Sequence, residues 1–380
     1  TSFHLLLLAF LTCPHRHNLT QLAPFASRSR RSLSRLSQKP FPYQDFNSNL
    51  LRETLANRPV IAALDCSFLR KAGKHTDQLG QFYSGADACA KRGLELCSLA
   101  LCTLDHPTAY SLACVQTPDE PESGTRMDFY AKFVVENAQH IEKFTKILVC
   151  DGGFARETII SEVITKTNLN IVTKLQRKAN MRYLFKGEHI KKAGRKKLYE
   201  GKVDTNNPDP QKMPIVARLA GGIVRHFDIL YHFGFKRRLA VMIEIKGGTL
   251  SRILCSTKLD ISCDEMVMMY DARFQQEFMF RDCKQHFGLM HNQQRKSARI
   301  EFHLNMSMSA RNVAKQEIEE RWAARGGARE ELVYSMEDYK WRKWAEHAAE
   351  QINARFGVLL DLIKSLPVFS PPHGDWMHAA

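Results

Sequence analysis

Two short apolar runs, each followed at once by an aspartate, limit the fold of this chain more than any other feature. Residues 60–64 precede Asp65, and residues 147–150 precede Asp151. Apolar runs this short are typical of strands buried on both faces of a sheet. We therefore expect Asp65 and Asp151 each to close a core strand, with both carboxylates at the same edge of the sheet.

The apolar pattern elsewhere predicts strands that first follow one another and then alternate with helices. Further strands are expected over residues 94–104, 109–117, 171–175 and 252–259, and helices over residues 129–144 and 159–164. Residues 264–286 are predicted to form one long helix, and two or three more helices fill residues 294–365. This order indicates an α/β fold, with a mixed sheet between helical layers.

The composition favours a globular protein with a polyanionic partner. Hydrophobic residues make up 44% of the 380 residues, enough for a sizeable core, and the formal net charge is +15. Such an excess of cations is typical of proteins that bind nucleic acid or an anionic membrane surface. The ten cysteines form neither a CxxC pair nor a zinc-binding pattern, which predicts reduced, buried thiols in a cytosolic protein.

No stretch of the sequence reaches the length of a transmembrane helix, so we expect no membrane partner. The apolar run at residues 5–11 lacks a preceding charged region, and a helix packed into an N-terminal domain is favoured over a signal peptide. The chain contains no Walker A, GxGxxG, HExxH or GxSxG motif. Hydrolysis of ATP, nicotinamide chemistry, zinc proteolysis and serine hydrolysis therefore have no support.

Two segments outside the predicted core are basic. Residues 1–58 form an N-terminal region in which Arg28, Arg30 and Arg31 could bind DNA, although a flexible basic linker is the alternative. Pro24 interrupts any continuous helix there. Residues 177–249 are predicted to form a basic, β-rich insertion that includes Arg195, Lys196 and Lys197. Residues 321–380 are assigned to a C-terminal helical region and tail.

One face of the helix predicted at 264–286 carries an acid among cations. Tyr270, Arg273, Glu277, Arg281 and Lys284 fall within an arc of about 80° at the helical period. A solvated helix face is the alternative, but such a face more often mixes its charges evenly. Carboxylates brought together repel each other, and a divalent cation such as Mg²⁺ or Mn²⁺ relieves that repulsion. The stripe therefore suits metal binding beside a phosphate backbone, with Phe274 and Phe278 expected to anchor the helix.

The spacing Tyr270-x2-Arg273-x3-Glu277-x6-Lys284 resembles the Tyr-Arg-Glu-Lys signature of the IS4-like insertion-sequence transposases of the DDE class. Residues 63–68 and 148–154 are similar to the segments that carry that family's first and second aspartates. The resemblance covers about residues 59–315. It implies an RNase H-like catalytic core, formed by residues 59–176 and 250–320 and interrupted by the insertion, with helical parts at both ends.

The same resemblance implies a DNA transposase that cleaves the ends of a mobile element and transfers the strands. Asp65, Asp151 and Glu277 would bind two divalent ions, Mg²⁺ or Mn²⁺. Tyr270, Arg273 and Lys284 would contact DNA, and Arg281 joins them on the helical stripe. The expected partners are terminal inverted repeats, target DNA and a second chain in a homodimeric synaptic complex, in the bacterial cytosol and on the nucleoid. An RNase H-like nuclease without rejoining and a non-catalytic DNA-binding remnant are the alternatives.

Overall fold

Short β-branched runs form the strands of this protein, and longer amphipathic stretches form its helices. The structure is a computed structural model that describes residues 2–122, 124–187 and 196–356. The helices are α1 (Ser2–Thr12), α2 (Leu19–Phe25), α3 (Arg30–Leu36), α4 (Tyr43–Thr54), α5 (Arg126–Glu142), α6 (Glu157–Lys166), α7 (Cys263–Ala272), α8 (Gln275–Gln285), α9 (Ser297–Ala324) and α10 (Met336–Phe356). The strands are β1 (Val60–Arg70), β2 (Gly80–Ser84), β3 (Cys89–Thr103), β4 (Thr108–Gln116), β5 (Ile147–Cys150), β6 (Asn170–Lys174), β7 (Met181–Leu184), β8 (Tyr199–Lys202), β9 (Ile215–Leu219), β10 (Ile223–His232), β11 (Arg237–Lys246) and β12 (Thr249–Ser256).

All the strands of the described residues join one mixed sheet. Its order is β2-β3-β1-β5-β6-β12-β11-β10-β7-β8, with β4 paired to β3 and β9 paired to β10. The β1–β5 and β5–β6 pairs are parallel, and the other pairs are antiparallel. The mixed α/β architecture predicted from the sequence is confirmed.

Helices cover both faces of the central strands, as the apolar runs require. On β1, Ala62 and Leu64 join a hydrophobic cluster with residues of α5 and α6. Ile61 and Ala63 join a second cluster, with residues of α7, α8 and α9. Successive side chains of a strand point to opposite faces, so a strand buried on both sides needs an unbroken apolar run.

The N-terminal helices pack against the C-terminal ones. Residues of α1, α2 and α3 share a third hydrophobic cluster with residues of α9 and α10. The apolar run at residues 5–11 forms α1, as predicted. Pro24 does not interrupt the helix directly, because it lies inside α2. A continuous helix is nevertheless absent between residues 19 and 36: α2 ends at Phe25, and α3 begins at Arg30, where Ser29 caps it. The boundary drawn at residue 58 stays a prediction.

Four details of the sequence prediction are wrong. Strand β1 does not end at Asp65 but continues to Arg70, because β3 pairs with it along its whole length. Strand β3 begins at Cys89 rather than at residue 94. Strand β2, which pairs with that added part of β3, was not predicted at all. The single helix expected over residues 264–286 is divided into α7 and α8.

Residues 177–249, predicted to form a β-rich insertion, contain the strands β7, β8, β9, β10 and β11. These strands continue the central sheet beyond β12. Lys196 and Lys197 are exposed just before β8, whereas Arg195 lies outside the described residues. Helices α9 and α10 fill the region expected to be helical up to residue 356, and the tail from residue 357 also lies outside. In the parts of the chain that the structure describes, no helix combines the length and the apolar character needed to cross a membrane.

Candidate functional site

Strand alternation brings Asp65 and Asp151 to the same face of the sheet. Ala63 and Val149 point toward α7 and α8, and the two aspartates each stand two residues further along. The last parallel pair between β1 and β5 is Leu64 with Cys150, so the aspartates follow at the same level. Asp151 then begins a 3₁₀ turn, where a Cβ on Gly152 would come within 3.1 Å of the carbonyl oxygen of Lys174. The close approach of these chains explains the glycine.

The third predicted acid, Glu277, lies just after the junction between α7 and α8. Helix α7 begins with a capping box formed by Ser262 and Glu265. Helical dihedral angles continue through Arg273 and Phe274, but the amides of Phe274, Gln276 and Glu277 bond to carbonyls only three residues back. A tightened turn of this kind often marks a functional position in a helix.

Helix α8 is anchored by a polar side chain that was not among the predicted site residues. Gln276 is fully buried, and its Nε2 donates to the carbonyl oxygen of Ser98 at 2.9 Å. Ser98 is the β3 partner of Asp65, so this bond fixes α8 beside the first aspartate. The expected anchor Phe274 is instead 48% exposed. Gln276 shares one helical face with Met279, Phe280 and Cys283, and that spacing was the available signal.

Two ion-pair networks hold α7 and α8 against the rest of the fold. Arg252 bridges the buried Glu244 of β11 at 3.2 Å and Asp271 of α7 at 2.7 Å. Arg311 of α9, which is 1% exposed, donates to Asp282 of α8 at 3.0 Å from Nε and to the carbonyl oxygen of Ala109 at 2.6 Å. The residues that flank Glu277 are thus tied to both the sheet and α9.

Arg273 and Tyr270 contact the acids directly. Nη1 of Arg273 lies 3.0 Å from Oδ2 of Asp65, and its Nη2 lies 3.7 Å from Oε1 of Glu277. The Tyr270 hydroxyl donates to Oδ1 of Asp151 at 3.1 Å. Burial raises the pKa of Asp65 to about 6, although the Arg273 guanidinium opposes that shift. Arg273 therefore compensates the charge of two acids at once.

All three acids line one cleft of about 700 Å³. Arg273, Arg281 and Lys284 line it too, so four members of the predicted stripe face the same space. Its opposite wall comes from the end of β1 and the β2–β3 turn, and includes Arg70. Burial lowers the pKa of Lys284. The cleft thus combines carboxylates with several cations, an arrangement that suits a phosphate group next to a metal ion.

The donor types fit a hard divalent cation, since Mg²⁺ and Mn²⁺ prefer carboxylate oxygens. Nevertheless, within the described ranges no three His, Cys, Asp or Glu side chains are grouped closely enough to hold a metal ion. The guanidinium of Arg273 contacts Asp65 and Glu277, as a cation between them would. Metal binding by the three acids therefore requires this side chain to give way.

The remaining predicted DNA-binding residues lie outside this cleft. Arg30 and Arg31 line a separate cavity beside α2 and α3, and Arg28 is exposed in the turn between those helices. Nζ of Lys197 stacks over the Phe185 ring at 4.9 Å from its centre. The structure thus brings together the residues of the acid stripe but not the basic residues from the two other segments of the sequence.

Comparison with known proteins identifies a family. The family model described as "Transposase DDE domain" matches residues 59–313, about two thirds of the chain. No curated protein sequence matches. Among solved structures, the cryo-EM structure of piggyBac transposase in a synaptic complex with hairpin DNA has a TM-score of 0.44 and 13% identity, covering 99% of this chain and 77% of that chain.

Proposed function

Because this chain belongs to the DDE transposases, we propose that Asp65, Asp151 and Glu277 hold the divalent cations with which it cleaves and rejoins DNA. Membership makes it a DNA-cutting enzyme of a metal-dependent class with DNA as its partner. The choice of acids is supported by one observation above all: β1, the end of β5 and α8 each bring one of them to the same cationic cleft. Two Mg²⁺ or Mn²⁺ ions are proposed, as in the paired metal sites of many phosphoryl-transfer enzymes.

The three acids and the other residues of the helical stripe each have a part in this proposal. Divalent cations held by the three acids would stabilise charge on the attacking and leaving oxygens. Arg281 and Lys284 attract the phosphate backbone into the cleft, and Tyr270 orients the Asp151 carboxylate. Arg273 neutralises Asp65 and Glu277, and once a bound cation released it, its guanidinium would contact a DNA phosphate. A guanidinium is suited to both roles, since it pairs with carboxylates and phosphates alike.

The finer classification is also part of the proposal. The strand order β4-β3-β1-β5-β6, antiparallel and then parallel, with α5 and α6 as connections, supports an RNase H-like core. Strands β7 to β11 correspond to the insertion, and the resemblance of residues 270–284 supports an IS4-like member. We include the division at residues 58, 176, 250 and 320, a homodimeric synaptic complex, and action in the bacterial cytosol.

Binding of Mn²⁺ tests the assignment of the acids without any cleavage assay. Calorimetric titration of the metal-free chain is expected to show two bound ions, because three carboxylates offer enough oxygens to share between two cations. Asp151→Asn should lose at least one of them. Asp87→Asn is the matched control, because Asp87 lines the same cleft but already pairs with Lys91 at 2.6 Å. Equal binding by wild type and Asp151→Asn would refute the assignment.

Arg273 and Lys284 are expected to differ in how their DNA contacts depend on metal. Lys284→Ala should weaken binding to end DNA with or without Ca²⁺. Arg273→Ala should weaken it mainly when Ca²⁺ is present, because only then is the guanidinium released from Asp65. Arg273→Lys should still be impaired, since a point charge cannot replace a planar fork. Fluorescence anisotropy of a labelled duplex, in EDTA and in Ca²⁺, measures both.

Melting curves of the same variants separate these roles from a structural one. A DNA-contacting residue should leave stability within about 1 kcal/mol of wild type. If Arg273→Ala instead loses several kcal/mol, as when a buried pair is broken, and cleaves normally per folded molecule, Arg273 has no DNA role. An equal loss of affinity in EDTA and in Ca²⁺ would contradict its release by metal.

A further inference from the structure

A second cavity of about 600 Å³ lies away from the acids, between the N-terminal helices and the segment that joins α8 to α9. Its lining comes from two distant parts of the sequence, residues 17–34 and residues 292–303. Three arginines line it: Arg30, Arg31 and Arg299. None of its lining residues is an aspartate or glutamate, and none of the three arginines pairs with a carboxylate within the described residues.

The positive charge of this cavity comes from arginine alone. His17 and His303 also line it, but burial lowers both pKa values, that of His303 to about 4. Both imidazoles are therefore neutral at pH 7, whereas the guanidiniums stay charged. Arg30 and Arg31 are exposed and Arg299 is half-buried. Three cations with no acid among the lining residues favour the binding of an anion, and planar guanidiniums suit a phosphate best.

One buried hydrogen-bond donor among the lining residues has no partner in the part of the chain that the structure describes. Oδ1 of Asn292 accepts from the amide of Gln294 at 2.7 Å, which orients its side chain and leaves Nδ2 buried without a partner. Buried polar groups are normally hydrogen-bonded, so an unpaired amide next to three arginines indicates a missing acceptor.

The segment that carries Asn292 is held rigidly between the cleft and the N-terminal helices. Nζ of Lys71, in the loop after β1, donates to the Asn292 carbonyl oxygen at 2.5 Å. Gly288 has a φ of +70°, and a Cβ there would come within 2.3 Å of the His17 Cβ. Met290 lines the acid cleft, His291 accepts from the amide of His17, and Asn292 lines the arginine cavity. Three consecutive residues thus connect the acid cleft with the arginine cavity.

From this arrangement we propose that the arginine cavity binds a backbone phosphate of the DNA whose end lies in the acid cleft. The inference rests on the proposed function, because it takes the ligand of the cleft to be DNA. It adds a phosphate site built by both the N-terminal helices and the core. The chemistry would also accept a free phosphate ion, so the experiment must separate the two.

The test is the salt dependence of duplex binding. Each lost phosphate contact reduces the slope of log affinity against log salt by about 1. Arg299→Gln and Arg31→Gln should each show this reduction, and the loss should be the same for any DNA sequence. Arg35→Gln is the matched control: Arg35 is exposed on the same helix as Arg31 but does not line the cavity. Its slope should stay nearer to wild type.

If Arg35→Gln changed the salt slope as much as the two cavity variants do, general surface charge would explain the effect. That result would refute the proposed phosphate site. If inorganic phosphate raises the melting temperature of wild type but not of Arg299→Gln, while the DNA slopes are unchanged, the cavity binds free phosphate instead. Failure of the proposed function would look different. In that case Asp151→Asn would cleave DNA normally, whatever the cavity variants do to the slope.

Discussion

Asp65→Asn, Asp151→Asn and Glu277→Gln are each expected to lower cleavage of element-end DNA by about 10³-fold or more, the loss seen when a group essential to charge stabilisation is removed. Each substitution keeps the size of the side chain and removes a metal-binding charge. Folding should be kept, and Asp65→Asn should melt at or above the wild-type temperature without metal. The reason is that burial raises the pKa of Asp65 to about 6, so the fold disfavours its ionised form at pH 7.

The measurement is a single-turnover nicking assay in Mg²⁺ on duplexes that carry the proposed terminal inverted repeats. Duplex binding in EDTA by the same proteins provides the control for folding and should be close to wild type. Asp87→Asn, in the same cleft, should cleave at a nearly normal rate. If any one of the three acid variants nicks DNA as fast as wild type, that residue does not belong to the metal site.

The largest loss of stability is expected from Arg311→Met. This change leaves the Asp282 carboxylate and the Ala109 carbonyl oxygen without their hydrogen-bond donor. Breaking a buried pair of this kind lowers the free energy of unfolding by roughly 3–5 kcal/mol. Activity per folded molecule should fall as well, because Asp282 lies on the helix that carries Glu277. Chemical denaturation, followed by tryptophan fluorescence and circular dichroism, gives the loss of stability.

Arg321→Met supplies the comparison on the same helix. Arg321 pairs with Glu346 at 3.1 Å, but its side chain is 37% exposed, so its loss should cost about 1 kcal/mol or less. The double variant Arg311→Met, Asp282→Leu should recover much of the stability, since a buried pair can often be replaced by apolar groups. Similar losses for Arg311→Met and Arg321→Met would show that the buried pair does not hold α8.

The strands of the core could be predicted where both faces are buried, because a short, continuous apolar run suits a strand that is covered by helices on either side. Residues 60–64 and 147–150 are such runs. The second half of β1, residues 66–70, could not be predicted from its own sequence. It is a strand only because it pairs with residues 93–97 of β3. The division between α7 and α8 at Arg273 could not be predicted either. The backbone stays helical there, and only the spacing of its hydrogen bonds shortens from four residues to three.

The acids of the candidate site were proposed from the apolar runs that precede Asp65 and Asp151 and from the helical stripe around Glu277, but their contacts could not be predicted. The resemblance predicted that Arg273 contacts DNA. In the structure its guanidinium instead contacts Asp65, which is 208 residues away in sequence. Arg311 and Gln276 resemble ordinary surface residues in the sequence. Only the tertiary fold buries them, since β4 and β3 supply the carbonyl groups that they bind.

Residues 177–249 could not be excised from this protein as a simple appendage. Strand β12, which follows them, is hydrogen-bonded to β6 on one side and to β11 on the other. Excision would remove β11 and leave that side of β12 unpaired, although its residues Ile253, Leu254 and Cys255 are buried. Open apolar edges pair with other molecules. A chain shortened in this way would therefore tend to aggregate.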